Sequence, residues 1–208
     1  MNHLVLLGDS IFDNAAYTSG APDVVHQVRQ RLPPGWRATL GAVDGGTTGS
    51  VREQLRSLPP DATHLIVSAG GNDALVHIDF LGAPVGSAAE ALLGLADIAT
   101  EFERKYHAMI TEMLAYRLPT AVCTIYYPRF PDATLQRVTV TALAVFNDCI
   151  IRAALIHGLP LLDLRFVCTE EGDYADPIEP SARGGEKIAS AVVEMIERGF
   201  DSGRTAVL

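Results

Sequence analysis

Five short apolar runs, separated by longer amphipathic stretches, constrain this chain more than any other feature. The runs are His3 to Leu7, Arg37 to Val43, His64 to Ser68, Ala121 to Tyr126 and Leu159 to Leu164. Each is short and nearly continuously apolar, as a strand buried on both faces must be. Between them, Asp23 to Leu32, Thr48 to Ser57, Ala88 to Tyr116 and Leu135 to Ile156 carry helical periodicity. A last helix is expected from about Gly185 to Arg198. Alternation of this kind predicts an α/β fold: a doubly wound sheet of five parallel strands, helices on both faces and right-handed crossovers. The expected strand order is 2-1-3-4-5. Pro33-Pro34-Gly35, Pro59-Pro60, Leu118-Pro119 and Gly158-Leu159-Pro160 punctuate the approaches to strands two to five. The connection from Asp73 to Ser87 has no regular pattern, and a loop of that length in a compact domain is often functional.

Composition narrows the class. With 208 residues, 48% of them hydrophobic, the chain can bury a sizeable core, and residues 1–208 read as one domain. The net charge of -9 argues against nucleic-acid binding, which needs clustered Lys and Arg. A neutral or cationic small molecule is the expected partner. Cys123, Cys149 and Cys168 lack metal-ligand spacing and read as free thiols. With no basic segment leading into a long apolar run at residue 1, a cytoplasmic location is expected. No window is read as approaching the roughly 18 apolar residues of a membrane span.

Four polar clusters fall at the carboxyl ends of the predicted strands, where open α/β sheets present their ligand crevice. Gly8-Asp9-Ser10 follows strand one, Asp44-Gly45-Gly46-Thr47-Thr48 strand two, and Gly70-Gly71-Asn72-Asp73 strand three. Asp176-Pro177-Ile178-Glu179-Pro180-Ser181 follows strand five, ahead of the last helix. An acyl-transfer site needs such a gathering: a nucleophile, donors aimed at a developing oxyanion, and a base.

In order and spacing, these four segments resemble the conserved blocks of the SGNH, or GDSL-type, hydrolase family, and the resemblance spans nearly the whole chain. It implies a flavodoxin-like three-layer α/β/α fold and hydrolysis of esters, thioesters or amides; no cofactor or metal is expected. By resemblance Ser10 is the nucleophile, and the Ser10 amide, Gly45 amide and Asn72 side chain form the oxyanion hole. The family's last block reads Asp-x-x-His. Here Asp176 matches the Asp, but Glu179 stands where the His belongs.

The substitution leaves two readings. An isolated Glu, with pKa near 4.3, is about two units less basic than imidazole, a handicap of roughly 3 kcal/mol. Crowding of the Asp176 and Glu179 carboxylates in a partly desolvated crevice would raise the proton affinity of the pair. The chain is then an esterase of small soluble substrates with an altered base. The rival is a pseudoenzyme that keeps the pocket to bind a small ligand or partner, with Glu179 a solvated carboxylate at the start of the last helix.

Among the histidines, His3, His64 and His157 fall at the wrong edge of the sheet, and His26 and His107 on helices. Only His77 can fold back over the crevice toward Ser10. Asp9, Asp73, Asp176 and Glu179 match no dedicated metal loop, and Asp9 reads as a structural acceptor in the turn around Ser10 or as part of the pocket. Arg129, in Tyr126-Tyr127-Pro128-Arg129-Phe130, is placed to meet an anionic substrate group, with Tyr126 or Tyr127 lining the pocket.

Overall fold

The computed structural model describes residues 1–200. Its sheet has five parallel strands in the order β2-β1-β3-β4-β5: β1 Asn2–Gly8, β2 Trp36–Leu40, β3 His64–Ser68, β4 Thr120–Cys123 and β5 Leu161–Leu162. The helices are α1 Val24–Arg31, α2 Thr48–Leu55, α3 Gly71–Leu75, α4 Ala88–Ala115, α5 Ala133–His157 and α6 Ala182–Glu197. Side-chain oxygens cap several of them, as their sequences imply. Asp23 accepts from the His26 amide at 2.9 Å, Asp132 from Leu135 at 2.6 Å and Ser181 from Gly184 at 3.2 Å.

Period-two alternation along β1 divides the core. Leu4 and Leu6 join a layer with Val24 and Val28 of α1 and with Ile188 and Val192 of α6. Val5 and Leu7 face the other way, into Val51 of α2, Met109 and Met113 of α4, and Phe146 and Ile150 of α5. All four strand side chains are 1% exposed or less. Each contributes roughly 1.5–3 kcal/mol through burial, so the continuously apolar run is the physical cause of a sheet covered on both faces.

Three expectations need correction. β2, β4 and β5 stop three, three and two residues short of the predicted apolar runs, because the chain beyond each of them leaves the sheet for the connecting segments at its carboxyl edge. The segment after β3 is not an irregular loop: it contains α3 and a 3-10 turn at Ile78–Gly82. Finally, α5 is long and apolar enough to cross a membrane by length and composition, contrary to the sequence reading. Its apolar face is spent on the core, where Phe146, Cys149, Ile150, Ala153 and Ala154 are buried.

Candidate active site

The turn after β1 depends on a glycine. Gly8 has φ of +120°, and a Cβ there would lie 1.7 Å from the Ser68 carbonyl oxygen. This close approach lets the Asp9 amide donate to that oxygen at 3.1 Å as the strand ends. The side chain of Gln54 on α2 clamps Gly8 from the other side, accepting from its N–H and donating to its carbonyl, both at 2.8 Å. Asp9 then ties the turn together: its carbonyl accepts from the Phe12 and Asp13 amides and its Oδ1 from the Ile11 amide. Ser10 emerges from this frame 7% exposed. Its own amide has no acceptor among the described residues.

The segments after β2 and β3 are locked together. Asn72 Nδ2 donates to the Gly46 carbonyl at 3.0 Å, leaving its second N–H free of protein partners among the described residues. Both carboxylate oxygens of Asp73 accept from Thr48, one from the amide at 2.9 Å and one from the hydroxyl at 2.7 Å. Gly46 is pressed onto β1, since a Cβ there would come within 2.4 Å of the Gly8 carbonyl oxygen. The Gly46 amide is used by the Val43 carbonyl, whereas the exposed Gly45 amide has no acceptor among the described residues.

Glu179 enters from the loop before α6. It is 9% exposed, and its Oε2 is buried without a hydrogen-bond partner. Burial pushes its pKa from the ordinary 4.5 up to about 7, with the charges of Asp44 and Asp176 adding to the rise. The nearby Ser10 hydroxyl pulls the other way, because a donor close to the carboxylate favours the ionised form, although among the described residues no Ser10–Glu179 hydrogen bond is closed. Asp9 is raised to about 7 as well, chiefly by desolvation and further by the charge of Glu179. The reading of Glu179 as a solvated carboxylate is thereby corrected: the loop carries it inward.

Three braces hold that loop. Asp176 is exposed, and its Oδ1 accepts from the Ile178 and Glu179 amides at 2.9 and 3.0 Å. The Tyr126 hydroxyl donates to the Ile178 carbonyl. The amide of Arg129 donates to the Pro177 carbonyl at 2.7 Å, while its guanidinium donates to the Thr169 carbonyl and lies over the Tyr174 ring, 5.6 Å from the centroid. Asp173, which the sequence reading passed over, anchors the base of the same loop by accepting from the Thr169 and Glu170 amides and from Lys187.

Asp9, Ser10, Asn72, His77 and Glu179 line one cavity of about 100 Å³. Gly45, Asp176 and Arg129 do not line it. Arg129 is therefore a brace of the Asp176–Glu179 loop, committed to carbonyl and aromatic partners, and not a group awaiting a substrate anion. His77 reaches the cavity wall, but among the described residues its ring makes no hydrogen bond to Ser10. Away from Ser10 the cavity is walled by apolar side chains of the 3-10 turn, α4 and α5, among them Ile78, Leu81, Leu95, Ile98 and Leu143. In the sequence this wall is present only as scattered apolar residues of the connection after β3 and of the two long helical stretches, with nothing to say that they meet.

Fold and site together define a three-layer α/β hydrolase with its polar residues gathered at the carboxyl edge of the sheet. The model of the GDSL-like lipase/acylhydrolase family matches residues 6–187, and the chain belongs to that family. No curated protein matches it in sequence. Among solved structures, it is similar to the lipase Lip_vut3 from a goat rumen metagenome, with TM-score 0.71 and 16% identity over 97% of this chain and 99% of that one. It is also similar to the psychrotrophic esterase EstA from Pseudoalteromonas sp., with TM-score 0.65 and 17% identity over 95% and 98% of the two chains. For the lipase/acylhydrolase from Enterococcus faecalis the values are 0.65 and 20%, over 98% and 100%. At these identities the likeness is one of fold.

Proposed function

We propose that this hydrolase cleaves carboxylic esters of small soluble molecules, with Ser10 as nucleophile and Glu179 as the general base. The observation that carries this reading is the burial of Glu179 beside the Ser10 hydroxyl, which lifts its pKa to about 7. A carboxylate of that basicity matches an imidazole, whose ordinary pKa is about 6.5, so the handicap of roughly 3 kcal/mol expected for an isolated Glu disappears.

In the proposed reaction Glu179 takes the hydroxyl proton as Ser10 Oγ bonds to the ester carbon, and the carbonyl electrons move onto its oxygen. The Ser10 amide and the free N–H of Asn72, both on the cavity wall, are the donors available to that oxyanion, whereas Gly45, the third donor the family resemblance implies, does not line the cavity. Collapse expels the alcohol, which receives the proton from Glu179. Water, deprotonated by Glu179, then releases the acid and restores Ser10. Asp176 acts on the backbone, accepting from the Glu179 amide, and not by orienting an imidazole as it would in an Asp-His pair. The apolar cavity wall suits the acyl chain.

A fluorophosphonate probe and a short p-nitrophenyl ester test the reading together. Labelling and hydrolysis are expected in the native chain and lost in Ser10→Ala. Absence of both in the native chain would overturn it and leave the fold as a binding scaffold.

A further inference from the structure

One polar group in the cavity is unused by the reaction just described. Thr139 lies on α5 with Ala142, Leu143 and Phe146, and these residues present one helix face to the cavity. Thr139 is 7% exposed, and its Oγ1 is buried without a hydrogen-bond partner among the described residues. Other helical threonines behave differently. The hydroxyls of Thr100, Thr111 and Thr141 each donate to the carbonyl four residues back, at 2.8 Å. That back-bond is the ordinary way for a helical threonine to satisfy itself. Thr139 makes no such bond to Leu135, although it sits in the same helix as Thr141. Buried hydroxyls are rarely left unmatched, so an unmatched one on a cavity wall points to an occupant that supplies its partner.

Resting on the ester-hydrolase reading above, we propose that the substrate acyl chain carries a hydrogen-bonding oxygen, a keto or hydroxyl group, that pairs with Thr139 Oγ1. The wall around it accepts the hydrocarbon part of the chain, and the hydroxyl selects the oxygenated acyl group over a plain alkyl one. A site built to hydrogen-bond one substrate group discriminates against the analogue lacking it, because its own polar group is then left stranded. Unlike Ser10, Asn72 and Glu179, Thr139 belongs to recognition and takes no part in bond making.

The test measures kcat/KM for p-nitrophenyl hexanoate and for a series of hexanoyl esters with one keto or hydroxyl group moved along the chain. The native protein is expected to favour one member over plain hexanoate by about five- to tenfold, the worth of one neutral hydrogen bond. Thr139→Val, which keeps the shape and removes the hydroxyl, brings that ratio to about one, and Thr139→Ser retains the preference. A native protein with no favoured member, or a preference that survives in Thr139→Val, overturns the proposal. Calorimetric binding of the free acids to the same variants separates the two levels of inference. If no ester is cleaved but one oxygenated acid binds in a Thr139-dependent manner, the hydrolase reading fails and this subsite stands; if no acid shows that dependence either, both fall.

Discussion

Replacing Glu179 with Gln is expected to remove a loss of stability that sets in as pH rises through neutrality, while disabling the proposed base. The carboxyl is buried, and its pKa stands at about 7 in the folded chain against the ordinary 4.5. For a group raised in this way, the stabilisation by its protonated form is complete below the unfolded pKa and is lost as pH rises through the folded one. At about 1.4 kcal/mol per unit, the ionised group costs the folded state about 3 kcal/mol. About 2 kcal/mol of that accrues between about pH 5.5 and pH 8.5. The glutamine side chain has no charge to desolvate. Any fixed cost of burying its amide is the same at both pH values and cancels from the comparison. Loss of the Glu179 charge also relieves Asp9, which it repels, and this adds to the difference in the same direction. Urea denaturation of both proteins at the two pH values measures the effect, and the advantage of the Glu179→Gln variant should be about 2 kcal/mol larger at the higher pH. In a thermal scan the same difference corresponds to about 4–8 °C for a chain of this size. An advantage that is equal at both pH values, or larger at the lower one, would refute the idea that Glu179 is held in an ion-unfriendly environment.

Asn72→Ala should lower kcat by about a hundred- to a thousandfold with a smaller change in KM, the usual loss on removing one oxyanion donor, measured by steady-state ester hydrolysis. The kcat/KM of the native chain should climb with pH through about 7, because Glu179 must be ionised to accept a proton; a flat profile from about pH 5.5 to 8.5 counts against it as base. In Glu179→His the rate above neutrality should change by less than about tenfold, since the two bases differ by only about half a unit; a far larger gain would show that the carboxylate is a poor substitute. Gly8→Ala should fail to give a cooperative melt by circular dichroism, because its Cβ would collide with the Ser68 carbonyl oxygen.

The strand order and the two-faced core were legible because periodicity and parallel crossovers leave few alternatives. Three of the polar segments were legible because they close apolar runs, and the fourth because it stands just ahead of the last helix. Burial was harder to read. Nothing in Asp176-Pro177-Ile178-Glu179-Pro180 says that residue 179 turns inward, since that depends on the Tyr126 hydroxyl and the Arg129 amide, each about fifty residues away along the chain. The basicity gap assigned to an isolated Glu holds for a solvated group, and desolvation reverses it. Arg129 was misread for a related reason: a cation at the right edge of the sheet looks available until its carbonyl partners are known. The short α3 helix escaped notice because five residues, two of them at its first positions Gly71 and Asn72, carry too little periodicity to register.

The lock between the segments after β2 and β3 bears on how such a protein can be re-engineered. Asn72 to Gly46 and Asp73 to Thr48 make two loops from different strands behave as one part. Neither can be transplanted alone: a graft that brings in a foreign turn at residues 44–48 without its matching 72–73 pair leaves a buried carboxylate and an amide facing strangers. The loop bearing Glu179 is fastened through β4's trailing segment, through Asp173 and through Asn14, whose Nδ2 donates to the Pro180 carbonyl at 3.2 Å. The proposed donors and the proposed base thus sit on separately braced segments, joined by the Asn14–Pro180 hydrogen bond and by the charge coupling of Glu179 to Asp9, so an exchange at residue 179 is felt first in the turn around Ser10.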